Sequence, residues 1–519
     1  MSQLRLRNLL PFRGMPFVPA LLVVLLPATL LAADPPSRLE LGRRVQELES
    51  TWLATTDTEA RARAVPAITN AIRRWFAADF VGVARELVIG EAILRQAGGA
   101  TAIDRWAGAL TVTPVDRILT PPTDPTQDFS PLIAFRVGAA FDDAPEPATG
   151  AVVEFIGFGK APLQFPISPG EDAAREFSVS LPDSAPGDYE FTVRVIHNDV
   201  VLRSFRDRVS IVDRFEARVA EVRGALLRAP STVDAARSPE LSTANGLIGL
   251  LRATDYGLDV ESPIRSHEQL ARVERLAEHV VAGTRSPELS APGDRWLRLS
   301  TGKTTTPCRV RVPTHPEGTK LPLVVGVHGM GGSENLFFEA HGLGLGPKLA
   351  SERGWIFAAP GGLGTPGMGA DIGTIITALE SFLPVDRNQI YLIGRSLGAA
   401  RIIAATSAEP TRYRAIAPLS GGGAIAGGID LAGLPAFVAA GKEDFGLGMS
   451  MGLRSILEQA NAAVTYKEYS PCEHMMLVPD SLPDVFRFFD GLVEKHVPVP
   501  ASGKESETDE KKATADSDH

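Results

Sequence analysis

Gln389-Ile390-Tyr391-Leu392-Ile393-Gly394-Arg395-Ser396-Leu397-Gly398-Ala399-Ala400 is the stretch on which the reading of the fold turns. The apolar run up to Gly394 has the composition of a buried strand, and the alanine-rich run Leu397 to Ala408 has that of a helix. Gly394-x-Ser396-x-Gly398 lies at the junction. A serine held on a tight strand-to-helix turn needs very small residues two before and two after it, because a side chain at either place strikes the neighbouring strand or helix. The five-residue pattern alone is weak. Placed after a strand and before a small-residue helix, it marks Ser396 as a candidate nucleophile.

The region from about 292 to 496 alternates strands with helices. Leu321 to Val327 is continuously apolar, as a strand covered on both faces must be, and Trp355 to Ala359, Ala415 to Leu419 and Ala436 to Ala440 are similar. Helical stretches such as Leu343 to Arg353 and Thr374 to Leu383 fall between them. That order predicts a mainly parallel sheet with helices on both faces.

A serine nucleophile needs three companions. His328-Gly329-Met330-Gly331-Gly332 follows the first core strand, and its glycines let backbone N–H groups turn toward a substrate oxygen. Met330 or Gly331 would supply one oxyanion donor and Leu397 the other. Only His474, His496 and His519 lie downstream of Ser396. His519 is in the tail and His496 at its start, which leaves His474, in the loop after the strand Ala463 to Tyr469, as the general base. Asp444, after the strand at 436–440, leads for the carboxylate that orients the imidazole, with Glu443 and Asp430 as alternatives.

These residues together carry a resemblance. Leu321-Pro322-Leu323-Val324-Val325-Gly326-Val327-His328-Gly329-Met330-Gly331-Gly332, Leu349-Ala350-Ser351-Glu352-Arg353-Gly354-Trp355 and Val385-Asp386-Arg387-Asn388-Gln389-Ile390-Tyr391, leading into Gly394-Arg395-Ser396-Leu397-Gly398, are similar to the α/β-hydrolase esterases grouped with polyhydroxybutyrate depolymerases and feruloyl esterases. They are equally similar to related hydrolases regarded as peptidases. The chain order Ser, Asp, His is the one that fold uses. The resemblance implies a nucleophile, acid and base at Ser396, Asp444 and His474, and an ester substrate, whether small molecule, polysaccharide-linked or polyester. It spans about 200 residues and says nothing of the first 290. Secreted depolymerases of this type often carry several disulfides, whereas Cys308 and Cys472 allow one at most, and Ala399 stands where a third glycine is common.

Ahead of this region the periodicity changes twice. Between 34 and 108 it is helical, with Leu41, Val45, Leu48 and Trp52 on one stripe and Ile68, Ile72, Trp75 and Phe76 on another. Between 109 and 212 it alternates, Tyr189, Phe191, Val193 and Val195 against Glu190, Thr192 and Arg194, which predicts a small Ig-like β-sandwich. Residues 213–291 return to helix as a linker region, with Ser266-x-x-Gln269 as a capping box and Arg-Ser-Pro-Glu-Leu-Ser occurring at both 237–242 and 285–290. The expected architecture is thus a multidomain chain with a C-terminal α/β-hydrolase.

Residues 1–33 read as a signal peptide: Arg5, Arg7 and Arg13 precede an apolar run from Phe17 to Leu31, and Leu31-Ala32-Ala33 offers a cleavage point. The expected location is therefore secreted or periplasmic, with no membrane span after cleavage. Residues 497–519 lack aromatics and read as a disordered tail. A formal net charge of -10 argues against a nucleic-acid partner, which a basic face would serve. No ligand spacing for a metal and no dinucleotide fingerprint occurs, so neither metal nor cofactor is implied. The function expected is an exported serine esterase working through an acyl-enzyme. A serine peptidase with the same three residues, or a binding scaffold built on a hydrolase-like domain, is the alternative.

Overall fold

The computed structural model describes residues 36–493, apart from 97–98, 123, 125–128, 130, 142–149, 168–174, 182–184, 230–237, 256–260, 302–303 and 363–370. The leader expected at 1–33, the tail expected at 497–519, and with them His496 and His519, lie outside the described residues.

Among the described residues eight strands form one sheet. Their order across it is Ala463–Tyr469, Pro435–Gly441, Ala415–Leu419, Val385–Arg395, Leu321–Val327, Ile356–Pro360, Thr304–Val312 and Gly293–Thr301. The first six run parallel, and Thr304–Val312 runs antiparallel to both of its neighbours. In the central pair Leu323 sits beside Ile390 and Val327 beside Gly394. This register brings the glycine loop after Val327 level with the turn after Arg395.

Strand periodicity explains the continuous apolar runs. Leu323, Val325 and Val327, with Ile390, Leu392, Ala436 and Val438, point to one face, where Ile375, Ile402 and Leu457 meet them. Val324, Tyr391, Ile393, Phe437 and Ala439 point to the other and meet Phe486 and Phe489. Both faces are therefore dry, and each residue of the run has an apolar destination.

The segments before 292 extend these two layers. The helices Phe215–Leu227, Pro239–Asp255 and Ser266–Ala282 put Val219, Leu247 and Leu270 into the first apolar cluster. Arg38–Ala54, Thr58–Phe76 and Phe80–Arg95 put Leu48, Trp52, Ile68 and Leu87 into the second. Between them lie a three-stranded sheet (Leu110–Pro114, Leu132–Ala139, Arg175–Ser180) and a five-stranded sheet. The latter orders Ile118–Leu119, Val200–Ile211, Gly187–His197, Ala151–Ile156 and Leu163–Ile167. Phe135 and Val179 of the one share a core with Phe155, Phe191 and Val193 of the other, and the Phe135 and Phe155 rings stand 4.5 Å apart.

Local chemistry departs from expectation at one helix start. Ser266 and Gln269 form no capping box: the helix at 266 is capped from outside, by the Asp188 carboxylate, which accepts from the amides of His267 and Glu268 at 3.1 Å each. A charged acceptor anchored on a strand is a better partner for two amides than a neutral hydroxyl. The repeated hexapeptide starts a helix at 239 and a 3-10 turn at 287, and its two copies meet where Ser286 N–H donates to Glu240. Cys308 and Cys472 are free, buried thiols. No described helix is long and apolar enough to cross a membrane.

Candidate active site

Ser396 occupies the turn between the strand Val385–Arg395 and the helix Leu397–Ala408, at φ 55°, ψ −118°. Such a conformation costs an L-residue about 1–3 kcal/mol and persists only where the surroundings enforce it. Here they do. Ser396 N–H donates to the Leu419 carbonyl at 2.9 Å, and the Ser396 carbonyl accepts from Ala399 N–H at 2.9 Å. A Cβ on Gly394 would lie 2.4 Å from the Gly398 carbonyl oxygen, and one on Gly398 would lie 2.1 Å from that of Val327. The two glycines flanking the serine are therefore demanded by space.

His474 and Asp444 meet. The imidazole Nδ1 lies 2.9 Å from Asp444 Oδ1, and both residues are buried. Asp444 also accepts from Ser420 Oγ and from the Gly446 amide. Burial pushes its carboxyl up, but the hydrogen bond and charge of His474, with these further donors, more than offset that and leave it below the usual carboxylate range. An ionised Asp444 accepts only, so Nδ1 carries the proton and Nε2 is left as a base. Burial, with the Arg395 charge, pulls the His474 pKa below its ordinary value despite the opposing pull of Asp444. The other two carboxylates are engaged elsewhere: Glu443 accepts from Cys472 N–H and Ser470, and Asp430 accepts from Asn461 on the surface.

Ser396 and His474 line one cavity, together with Met330 and Gly331 of the glycine loop. A Cβ on Gly329 would stand 3.1 Å from the Ser396 Cβ, so the loop backbone passes directly over the serine. Leu397 opens its helix, and first-turn amides have no intrahelical partner. Gly331 has φ 76°, and a Cβ there would strike the Trp75 indole at 2.7 Å. Arg38 donates to the Gly331 carbonyl at 3.1 Å and to Glu261, which also accepts from Ser333 Oγ. The N-terminal helices thus hold the loop that carries the candidate oxyanion donors.

Sequence reasoning missed several residues around this cavity. Glu473 is buried beside the candidate base and accepts from the amides of Met475 and Met476 at 2.8 Å each; burial raises its pKa to about 7 despite those bonds. Its carboxylate shapes the His474 loop. Arg395 reaches the His474 carbonyl at 3.5 Å. Glu49, from the first helix, accepts from the amides of His341 and Gly342 at 2.9 and 2.8 Å and lines the cavity. Adjacency to His474 and Ser396 was a usable signal for Glu473 and Arg395. For Glu49 there was none, because a glutamate within a helix ordinarily faces water.

No family model matches the chain, and no curated protein matches it. Solved structures do show similarity in fold. An S-formylglutathione hydrolase from Agrobacterium tumefaciens aligns at 13% identity and TM-score 0.31, covering 39% of this chain and 96% of its own. The fluorophosphonate-binding serine hydrolase FphF of Staphylococcus aureus aligns at 15% and 0.32, covering 39% and 99%. A CE1 ferulic acid esterase from Anaeromyces mucronatus aligns at 16% and 0.33, covering 40% and 95%. These similar structures are esterases and serine hydrolases, and each matches about 40% of this chain; likeness this remote carries no inference about chemistry.

Proposed function

We propose that the protein is a serine hydrolase of carboxylic esters, with an α/β-hydrolase catalytic unit and Ser396, His474 and Asp444 as its triad. The observation that carries the reading is the buried His474–Asp444 pair in the wall of the cavity that Ser396 also lines. His474 Nε2 takes the Ser396 hydroxyl proton as Oγ attacks the ester carbonyl. Asp444 holds the Nδ1 proton and stabilises the imidazolium that forms. The amides of Leu397 and of Met330 or Gly331 receive the oxyanion, where one donor is worth about 3–4 kcal/mol in the transition state. His474 then gives its proton to the departing alkoxide. Water, deprotonated by the same imidazole, attacks the acyl-enzyme; the imidazolium then returns that proton to the departing Ser396 Oγ, and the carboxylic acid is released.

The reading extends to setting. The leader at 1–33 directs export to the periplasm or outside, and the residues at 109–212 form a sandwich-like accessory unit. The motifs around Ser396 favour chemistry of the kind the depolymerase and feruloyl esterase group performs. Turnover of methyl and p-nitrophenyl esters by the full mature chain tests it. Wild type hydrolyses them, and Ser396→Ala lowers kcat/KM by about 10⁴- to 10⁶-fold without loss of fold. Cleavage of blocked peptide amides as fast as the matching esters would replace the esterase reading with that of a peptidase.

A further inference from the structure

The cavity beside Ser396 has two sources of wall. One comprises the catalytic loops; the other belongs to the N-terminal helices, through Leu41, Val45, Ala71, Ile72 and Trp75. These five side chains are uncharged, and Leu41, Ala71 and Ile72 are buried. The helix Arg38–Ala54 also brings Arg38 and Glu49 to the lining, both tied up by hydrogen bonds, Arg38 to Glu261 and the Gly331 carbonyl and Glu49 to the amides of His341 and Gly342. The cavity measures about 160 Å³. An apolar cavity of about 150 Å³ holds one benzene molecule, which sets the size of group that fits.

This wall is fixed in place. Glu49 is hydrogen-bonded to the amides of His341 and Gly342, Trp52 Nε1 donates to Asp480 at 3.1 Å, and Arg38 donates to the Gly331 carbonyl. The helix Arg38–Ala54 thereby joins the oxyanion loop, the segment after 340 and the final helix Leu477–Val493 into one piece. The leaving group of an ester must stay within reach of His474 and of the water that follows it. The part walled by Leu41, Val45, Ala71, Ile72 and Trp75 is left for the acyl group.

We propose that the N-terminal helices form the acyl-binding site and set the substrate class: carboxylic esters with a compact apolar acyl group, about the size of a benzene ring or a six-carbon chain. The assignment rests on the hydrolase reading for its chemistry, but the site is defined by the cavity alone. Trp75 closes the wall against the oxyanion loop, and Ala71 is the position where added bulk fills the space.

Calorimetric titration of methyl hexanoate into the full-length Ser396→Ala protein reads the site without turnover. The expected result is binding, weakened at least tenfold when Ala71→Phe is added, since losing room for each methylene is worth about tenfold or more. In the active enzyme, Trp75→Ala moves the kcat/KM preference from methyl hexanoate toward methyl decanoate by a similar factor. This second variant removes bulk and keeps the question answerable where Ala71→Phe fails to fold. No binding of methyl hexanoate, or equal binding with the cavity filled and an acyl-length preference unchanged by Trp75→Ala, overturns the assignment. Binding that responds to Ala71→Phe in a protein that hydrolyses no ester leaves the site standing and removes the hydrolase reading instead.

Discussion

Two assemblies of polar groups are buried in this molecule, and they are built to opposite rules. In the first, Glu40, Arg43, Arg44 and Glu47 of the N-terminal helix face Arg203 and Asp207 of the strand Val200–Ile211. Every charge there has a countercharge, and Arg203 alone contacts Glu40, Glu47 and the Leu110 carbonyl. In the second, Asp444 is fully engaged by His474, Ser420 and Gly446, while His474 and Ser396 face a cavity. The first assembly matches each cation with an anion, even where Arg43, Glu47 and Asp207 border a cleft, and ties the helix to the strand. The second is satisfied on its inner side and open on its outer side. Neither burial of charge nor an adjoining cavity therefore marks a candidate reactive site; a hydroxyl and a carboxylate-oriented imidazole meeting at one cavity does.

Substitutions separate the two. The largest effect falls on the open assembly: Asp444→Asn keeps the shape but favours the wrong imidazole tautomer, and kcat for ester hydrolysis should fall by about 10⁴-fold with the melting temperature little altered. Retained activity in that variant would transfer the acid role to Glu443 or Asp430. In the ion-paired assembly the ranking inverts. Arg203→Met leaves Glu40 and Glu47 buried without their main countercharge and should cost about 3–5 kcal/mol in urea unfolding, while kcat per folded molecule stays within a fewfold. A variant as stable as wild type would show that water reaches this cluster.

The smallest effect concerns pH. His474 must be neutral to act as a base, and burial with the Arg395 charge lowers its pKa against the pull of Asp444. A lowered pKa keeps the base neutral to more acid conditions, so the acid limb of kcat/KM should lie below pH 6.5, the ordinary histidine value. Arg395→Met removes the repulsive charge and should move that limb upward. A limb already above 6.5 in wild type would mean that the Asp444 charge outweighs both. Glu473 and His341, which also stand near, are the next groups to replace.

The contrast also explains what the sequence discloses. The core strands from 321 to 441 were legible because a strand buried on both faces can contain little except apolar residues, and the elbow because its glycines are dictated by contacts of 2.1 to 2.4 Å. His474 followed from chain order, and its meeting with Asp444 is a matter of two loops at adjacent strand ends. The helix Arg38–Ala54 was legible only as a stripe of Leu41, Val45, Leu48 and Trp52. Its charged residues look like a solvated face, yet Glu40, Arg43, Arg44 and Glu49 are each at most 3% exposed. Glu40 pairs with Arg43 and Arg44 at helical spacing, a pattern equally at home on a solvated face. The partners that bury these charges lie more than 60 residues away, so neither the burial nor the wall this helix gives the cavity leaves a local signature. The helix start at 266 failed for the same reason, since its cap comes from Asp188.

The central claim is that Ser396 is an activated nucleophile. A fluorophosphonate reacts with such a serine by losing fluoride and leaving its phosphonyl group on Oγ, and intact-mass analysis followed by peptide mapping locates the adduct. The account predicts one adduct on the full-length protein, at Ser396, absent from Ser396→Ala and slowed in Asp444→Asn. A folded wild-type protein that stays unmodified, or carries the adduct on another residue, would contradict it.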